Sequence, residues 1–281
     1  MGAKAANFSE LLNTRTTLGG VNVPEAHFAI PFYYYSQHLK KHGIDLTISN
    51  FLNNENINAK PKLRKQRLKA IRDTIIICEM ANGLGQKVNQ KMSENSDFES
   101  FRFRSSTNAE DIKGFSGAGL YNSFTAKKGS NTETVALAIK KVWASLWNWR
   151  AFEERSYYKI DHKTCFMGIL VHRSFPDEDA NGVVLTTNLY NSNPGFIVNA
   201  QYQNYSIVYP KPGILHDQIM VYTWNISRWK KYTIEYLSFS NIDKLKGKTV
   251  MHDKELERLM DYCMAIKQHY YYRIKHNCDC A

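Results

Sequence analysis

The sequence predicts an α+β fold with a helix-rich first part and a sheet-rich second part. Before residue 166, apolar residues recur mainly at helical spacing, and after it short apolar runs alternate with turns rich in Pro, Gly, Asn and Asp. The 281 residues suffice for one large domain or two smaller ones, and a hydrophobic content of 43% allows a sizeable core. We therefore predict a first lobe at residues 1–166 and a second at 167–281, and clefts between two such lobes are common ligand sites.

The first part is expected to begin with a short amphipathic helix from Ala5 to Leu12. A buried strand is predicted at Phe28–Ile30. Pro31 then begins a helix that continues to Leu39, because proline is favoured in the first turn of a helix. A longer helix is predicted from Asn58 to Met80.

The first part is expected to end with a short strand, a polar turn and a long helix. The strand is predicted at Ser100–Phe103 and the turn at Arg104–Asp111. Ser130 or Asn131 is expected to N-cap the helix, since both side chains carry short acceptors. Six apolar residues recur at helical spacing along it, which are Val135, Ile139, Val142, Trp143, Leu146 and Trp149. We predict that these tryptophans pack in the core and do not form a platform for stacked bases.

The second part is expected to consist of five strands and a final helix. The strands are predicted at Phe166–Val171, Gly182–Thr187, Gly195–Asn199, Ser206–Tyr209 and Gln218–Trp224. The final helix is predicted over about Lys254 to Ile274.

The formal net charge of +11 is concentrated in one segment. Seven cations and no acid lie between Lys60 and Arg72. A basic helix of this kind can bind a polyanion such as RNA. It is more often a solvated helix face, with Ile71, Ile75, Ile76 and Ile77 on the buried side, and we favour that interpretation. Nucleic acid is therefore not an expected partner.

The cysteines and the hydropathy pattern predict a cytoplasmic protein. The five cysteines are odd in number and include no CxxC pair, which favours reduced thiols. Cys278 and Cys280 can in principle bind a soft metal, but no matching ligands occur elsewhere, and we expect an ordinary terminal segment. No apolar run is long enough to cross a bilayer, and no signal peptide is evident.

The stretch from Phe101 to Phe124, FRFRSSTNAEDIKGFSGAGLYNSF, is the most informative one for function. From Arg104 onward it contains an arginine, paired hydroxyls, two acids and three glycines. Phosphate binding needs a guanidinium for bidentate contacts and glycines that let backbone N–H groups approach. Polar loops rich in glycine are often only loops, so composition alone leaves both interpretations open.

This stretch resembles the signature of the ATP-binding domain of phosphoenolpyruvate synthase and pyruvate phosphate dikinase, RSSATAED followed by SFAGQ and a T-F pair. The positions in register are Arg104-Ser105-Ser106, Glu110-Asp111, Ser116, Ala118-Gly119 and Phe124. Further stretches agree in the same order: Gly2 to Leu11 with GGKGANLAEL, Val23-Pro24 and Phe28-Ala29 with VPPGFAV (one residue longer here), Trp143 to Trp147 with WASLF, Arg150-Ala151 with RA, and Gly182 to Thr186 with GVMFT.

The resemblance implies an ATP-grasp-like fold with a nucleotide cleft between the two lobes. It also implies a phosphotransferase that uses ATP and magnesium and passes phosphate to a histidine on another domain. Phosphohistidine and pyruvate-binding domains would lie elsewhere in a larger protein. Lys4 matches a lysine that contacts the ATP phosphates, and Arg104, followed by Ser105, matches a phosphate-binding arginine.

The segment Met167–Phe175 resembles MAVVVQRMV, which passes beside the adenine in the family. On this basis Met167 and Val171 are predicted to contact ATP, together with His172, which stands where the family has glutamine. Thr186 is predicted to lie near the phosphates. Glu110 and Asp111 either contact magnesium or cap the following turn. The resemblance assigns no catalytic residue and no metal ligand within this chain.

Two departures from the family pattern limit the predicted activity. After Val198-Asn199-Ala200 the family carries GLGE, and its glutamate falls here on Asn204 or Ser206. The family's DIE and Q-x-R elements, which hold metal and contact phosphate, are absent before Ala281. We therefore expect a truncated domain that is inactive alone. The alternative is a degenerate, non-catalytic nucleotide-binding or regulatory module.

Overall fold

A computed structural model describes residues 1–16, 19–80, 83–112, 114–208, 210–223 and 232–278. The chain forms two compact units. The first comprises Met1–Glu10 and Val23–Ser174, and the second comprises Leu11–Asn22 and Phe175–Ala281. Each unit contains helices and a four-stranded antiparallel sheet, so the α+β class predicted from the sequence is confirmed.

The helices and strands up to residue 174 are α1 (Ala3–Leu11), β1 (Arg15–Thr16), β2 (Gly19–Gly20), β3 (Phe28–Ile30), α2 (Phe32–Lys41), α3 (Ile44–Leu52), α4 (Glu55–Asn58), α5 (Pro61–Ile77), α6 (Leu84–Ser93), β4 (Ser100–Thr107), β5 (Phe124–Lys127), α7 (Val135–Ser145), α8 (Trp149–Tyr157) and β6 (Met167–Arg173). Those after it are β7 (Ala180–Leu185), β8 (Gly195–Tyr202), β9 (Asp217–Tyr222), β10 (Thr233–Ser238) and α9 (Asp253–Cys278). Short 3-10 helices lie at His162–Thr164 and Asp243–Leu245.

The sheet of the first unit has the strand order β3-β6-β4-β5. Because side chains alternate across a strand, each strand sends every second residue to the same face. On one face, apolar residues of β4 and β6 join the helices in the main core, where Phe101, Phe103 and Val171 are fully buried. The strand β6 lies inside this sheet, so the first unit extends to Ser174, whereas the sequence predicts a lobe boundary at 166.

The strand β4 corrects the polar turn predicted at Arg104–Asp111. It continues to Thr107 and pairs with β6 from Phe101, opposite Arg173, to Thr107, opposite Met167. The first four residues of the predicted turn therefore belong to the strand. Strand propensity underestimates such a segment, because its hydroxyls and its arginine are tolerated once the backbone is paired with β6.

The helix α7 confirms the core role predicted for Trp143, which is almost completely buried, but not the predicted N-caps. Trp149 lies outside this helix, in α8, and packs partly buried against the main core. The N-cap of α7 is Thr134, whose hydroxyl accepts a hydrogen bond from the backbone N–H of Leu137 at 3.2 Å, so the prediction of Ser130 or Asn131 was wrong by three residues or more. Thr134 is equally competent as a cap, and the sequence alone does not choose among nearby short acceptors.

The basic segment forms α5, whose contacts agree with a solvated helix face. Its residues Leu68, Ile71 and Ile75 are buried. Arg64 forms a bidentate ion pair with Glu153, with N–O distances of 2.7 and 2.9 Å. Ile77 is 79% exposed, which corrects its predicted place on the buried side. The helix ends there, so its last residue leaves the buried stripe.

The second unit packs α9 on a sheet with the strand order β10-β9-β8-β7. Its core includes Phe196, Val198 and Ile219 from the sheet and Leu256 and Met260 from α9. The strand predicted at Ser206–Tyr209 is not seen over residues 206–208, and Tyr209 and Trp224 lie outside the described residues. The strand β10 was missed, although its sequence TIEYLS alternates in polarity.

Cys78, Cys165 and Cys263 are free thiols, while Cys280 and the side chain of Cys278 lie outside what the structure describes. No described helix combines the length and the apolar character that a membrane crossing requires.

Candidate functional site

The beginning of α1 lies directly on the strand β4. Gly2 is buried there, and a Cβ atom added to it would come within 1.9 Å of the Ser106 carbonyl oxygen. The backbone N–H of Ala5 donates to the Ser106 hydroxyl at 2.9 Å, which satisfies one of the N–H groups left unpaired at a helix start. Only glycine permits this close approach, and the approach fixes the position of Lys4 two residues later.

Lys4 forms an ion pair with Glu110, which follows β4 in the chain. The carboxylate side chain is 4% exposed, whereas the lysine side chain is 31% exposed. Lys4 donates to Oε1 of Glu110, and the other oxygen, Oε2, is buried without a hydrogen-bond partner among the described residues. The pair therefore joins a half-buried cation to an almost completely buried anion.

Burial and three neighbouring charges determine the electrostatics around Glu110. Burial raises the pKa of its carboxyl above the ordinary value, and the neighbouring Asp111 acts in the same direction. The Lys4 ammonium and the Arg104 guanidinium lower that pKa. Lys4 and Arg104, 100 residues apart in the chain, thus both act on one carboxylate in the first unit.

Arg104 occupies an exposed position in the middle of β4, opposite Leu170 of β6. It makes no ion pair with any residue that the structure describes. An exposed guanidinium without a carboxylate partner is suited to bidentate binding of an anion such as phosphate.

His172 belongs to the same sheet face as Arg104, because its strand partner is Arg102. Its Nδ1 lies 2.6 Å from the backbone oxygen of Arg173, so Nδ1 carries a hydrogen. Burial lowers the pKa of His172, and the positive charges of Arg104 and Arg102 lower it further. The imidazole is therefore neutral near pH 7, which excludes a role as a further cation in the site.

The other predicted site residues do not meet at this face. Ser105, Met167 and Val171 alternate with the residues of that face and point into the core, where Met167 and Val171 have no exposed surface. Thr186 lies in the second unit, and its backbone oxygen accepts a hydrogen bond from Lys267 at 2.7 Å. Contacts of these four residues with ATP stay predictions.

Sequence reasoning missed the roles of Gly2 and Glu110. Glu110 pairs with Lys4, so the interpretation of Glu110 as a cap of the following turn was wrong. The contact spans 106 positions in the chain, and no local pattern predicts such a distance. Gly2, two residues before Lys4, was the available signal for the close approach, since a residue without a side chain is needed where two backbones touch.

Comparison with known proteins identifies the family of this chain. Residues 1–275 match the family described as pyruvate phosphate dikinase, AMP/ATP-binding domain. Rifampicin phosphotransferase of Bacillus cereus is 29% identical over 194 residues, which are 69% of this chain and 21% of that protein. Phosphoenolpyruvate synthase of Escherichia coli K12 is 30% identical over 188 residues, 66% of this chain and 23% of that protein. The corresponding enzyme of Aeropyrum pernix is 27% identical over 191 residues, 66% of this chain and 22% of that protein.

These matches define the class as a nucleotide-binding domain of the phosphotransferase type. The chain belongs to the pyruvate phosphate dikinase AMP/ATP-binding domain family, and the resemblance inferred from its motifs is confirmed. Its matched part covers less than a quarter of the length of the relatives named above.

Proposed function

We propose that this chain binds ATP for a dikinase-type phosphotransferase and that the phosphoryl group passes to a histidine on another domain of a longer protein. The observation that carries the proposal is the ion pair of Lys4 with Glu110 in the first unit, together with the exposed Arg104, whose charge acts on the same carboxylate. Membership of an AMP/ATP-binding domain family supports a nucleotide as the ligand. The two matched enzymes, a phosphoenolpyruvate synthase and a rifampicin phosphotransferase, support a phosphoryl transfer.

Lys4 and Arg104 have complementary roles in this proposal. Phosphoryl transfer depends mainly on positioning the phosphates and on neutralising the charge that develops on them. Arg104, exposed and free of ion pairs among the described residues, would grip two phosphate oxygens. Lys4, held at the sheet by the fit of Gly2 against Ser106, would supply a point charge beside it. The nucleotide contacts predicted for His172, Thr186, Ser105, Met167 and Val171 are kept as part of the proposal.

Magnesium is part of the proposal only as the companion of ATP. The described residues contain no group of three or more His, Cys, Asp or Glu that fits a metal ion. Mg²⁺ is usually bound by one or two carboxylates together with substrate phosphates. We assign no step and no ligand of this chain to it.

Titration of the chain with ATP in excess magnesium tests the proposal. We expect Lys4→Met and Arg104→Gln each to weaken binding about tenfold to a hundredfold, because each removes a charged contact that contributes about 1.5–3 kcal/mol. Lys87→Met is the matched control, since this lysine is exposed to solvent on α6, a helix whose apolar residues pack in the main core. Equal affinity of all four proteins for ATP, or no binding to the wild type, would contradict the proposed site.

A degenerate binding module is the second candidate. The neutral residue where the family has glutamate, Asn204 or Ser206, favours it. Incubation of the full-length protein with ATP labelled at the transferable phosphates separates the two candidates. Acid-labile phosphohistidine supports the transferase, and nucleotide binding without any phosphohistidine supports the degenerate module.

A further inference from the structure

The buried ion pair of Lys4 and Glu110 poses an electrostatic problem for the proposed function. Glu110 is 5% exposed as a residue, and its Oε2 atom has no hydrogen-bond partner among the described residues. A buried carboxylate is stable as an anion only when a cation or hydrogen-bond donors compensate it. Lys4 supplies the one direct contact of this kind, and the same ammonium is the group that we assign to the ATP phosphates.

We propose that Glu110 is the positioning residue of Lys4 and that it takes up a proton from solvent when a nucleotide phosphate engages Lys4. The inference rests on the proposed function. Before binding, Glu110 is an anion that holds the ammonium against the sheet. After binding, the ammonium faces the phosphate, and the carboxylate becomes a neutral carboxylic acid with one new O–H bond. The proton leaves a hydronium ion or a buffer acid, whose bond to that hydrogen breaks, and no other covalent bond changes.

The charged groups around Glu110 determine the direction of this coupling. Lys4 on α1 and Arg104 on β4 stabilise its anion, whereas Asp111 beside it disfavours the anion. Tyr121 also feels the Glu110 charge, and its hydroxyl donates to the backbone oxygen of Ala109 at 3.0 Å, so it is not available to Glu110. A bound polyphosphate withdraws both cations and brings negative charge close. Every change therefore favours the protonated form.

The sign of the pH dependence follows from linkage. Because the complex binds more protons than the free protein, ATP binds more tightly as the pH falls towards the range where free Glu110 itself becomes protonated. The affinity should change by up to about tenfold per pH unit within that window, which corresponds to about one proton per nucleotide. Below the window both states are protonated, and the dependence on Glu110 disappears.

Calorimetric titration of the chain with ATP in excess magnesium measures this proton directly. Repeating the titration in buffers with different ionisation heats, between about pH 5 and about pH 8, gives the number of protons exchanged. The ligand contributes its own ionisation, which is the same for every variant. We expect a net uptake in the wild type that is lost in Glu110→Gln, a variant of the same shape without a titrating group.

Asp111→Asn is the matched control, because it removes the neighbouring acid. Asp111 has a positive φ of 56°, a conformation that asparagine tolerates. Proton uptake should persist in Asp111→Asn. If the uptake is lost in Asp111→Asn and retained in Glu110→Gln, the proton belongs to Asp111 and the inference is overturned. If Glu110→Gln does not fold, Lys4→Met replaces it, because Glu110 then lacks its counterion before binding and no uptake should follow.

The outcomes separate the inference from the function on which it rests. Binding of ATP to the wild type with the same proton count as Glu110→Gln would mean that Lys4 bridges both anions, and it would overturn the inference alone. No binding of ATP to the wild type would overturn both. Uptake that is specific to Glu110 supports both.

Discussion

Replacement of Gly2 by alanine is the sharpest structural test of how Lys4 is held. The added Cβ would lie 1.9 Å from the carbonyl oxygen and 2.1 Å from the carbonyl carbon of Ser106, and 2.5 Å from the backbone nitrogen of Thr107. Carbon atoms in ordinary contact are about 3.5–4.0 Å apart. All three clashing atoms belong to the backbone of β4, which is paired to β6 at this point, so side-chain rotation does not relieve the overlap.

The loss of stability expected for Gly2→Ala has two sources, the overlap itself and the contacts that α1 loses when it moves away from β4. Overpacking of this kind costs about 1–3 kcal/mol. Movement of α1 would also break the hydrogen bond from Ala5 to Ser106 and separate Lys4 from Glu110. We therefore expect the unfolding midpoint of the first unit to fall by about 2–12 °C, using about 2–4 °C per kcal/mol for a unit of this size. ATP affinity should fall about tenfold to a hundredfold, as for loss of the Lys4 charge.

Thermal unfolding and ATP titration of the same sample measure both effects. Gly85→Ala is the matched control, because the new Cβ there meets only the terminal methyl of Met80, at 2.9 Å, and alanine favours the helix α6. Gly85→Ala should keep the affinity and leave the midpoint unchanged or higher. An unchanged midpoint and affinity in Gly2→Ala would refute the argument that the close approach positions Lys4.

Two further predictions concern stability outside the candidate site. Asp217 is fully buried and accepts hydrogen bonds from the backbone N–H groups of Ser240 at 2.7 Å and Val250 at 2.6 Å. Asp217→Ala should therefore lower the free energy of unfolding, measured with denaturant, by about 3 kcal/mol. Asp217→Asn should lower it less, since one amide oxygen remains as an acceptor. Burial lowers the pKa of His162 to about 4 from 6.5, and the Arg155 guanidinium acts in the same direction. Because the unfolded chain binds this proton first, stability should fall as the pH drops from 6.5 towards 4, and His162→Gln should flatten that slope in denaturant titrations at several pH values.

Elements with a strong hydrophobic period were predictable, and elements that depend on pairing were not. The apolar stripe from Val135 to Leu146 indicated a buried helix, and α7 has its core residues there. The continuation of β4 through Arg104 to Thr107 was missed, because its polar residues resemble a turn until β6 is placed beside them. The strand β10 was missed for the same reason, since a short edge strand carries little signal without its partner β9.

The candidate site divides along a similar line. Lys4 and Arg104 were found from family motifs, and the structure relates them through one carboxylate. Ser105, Met167 and Val171 were taken from family motifs as well, but neighbours in a strand point to opposite faces, and their side chains enter the core. Motif adjacency therefore predicts which strand is functional, while only the register predicts which of its residues face a ligand.

The unequal environments of the two cations have a consequence for affinity. Arg104 is exposed, forms no ion pair among the described residues and acts on Glu110 only weakly, so a phosphate that binds it replaces little existing attraction. Lys4 is already paired with Glu110, so binding of a phosphate gains only the difference between the attraction of Lys4 to the phosphate and its attraction to the carboxylate. This limit disappears when Glu110 becomes neutral. Substitution of Arg104 should then weaken ATP binding at every pH. Substitution of Lys4 should weaken it most at low pH, where protonation of Glu110 releases the ammonium, and equal pH profiles for the two variants would contradict this division of roles.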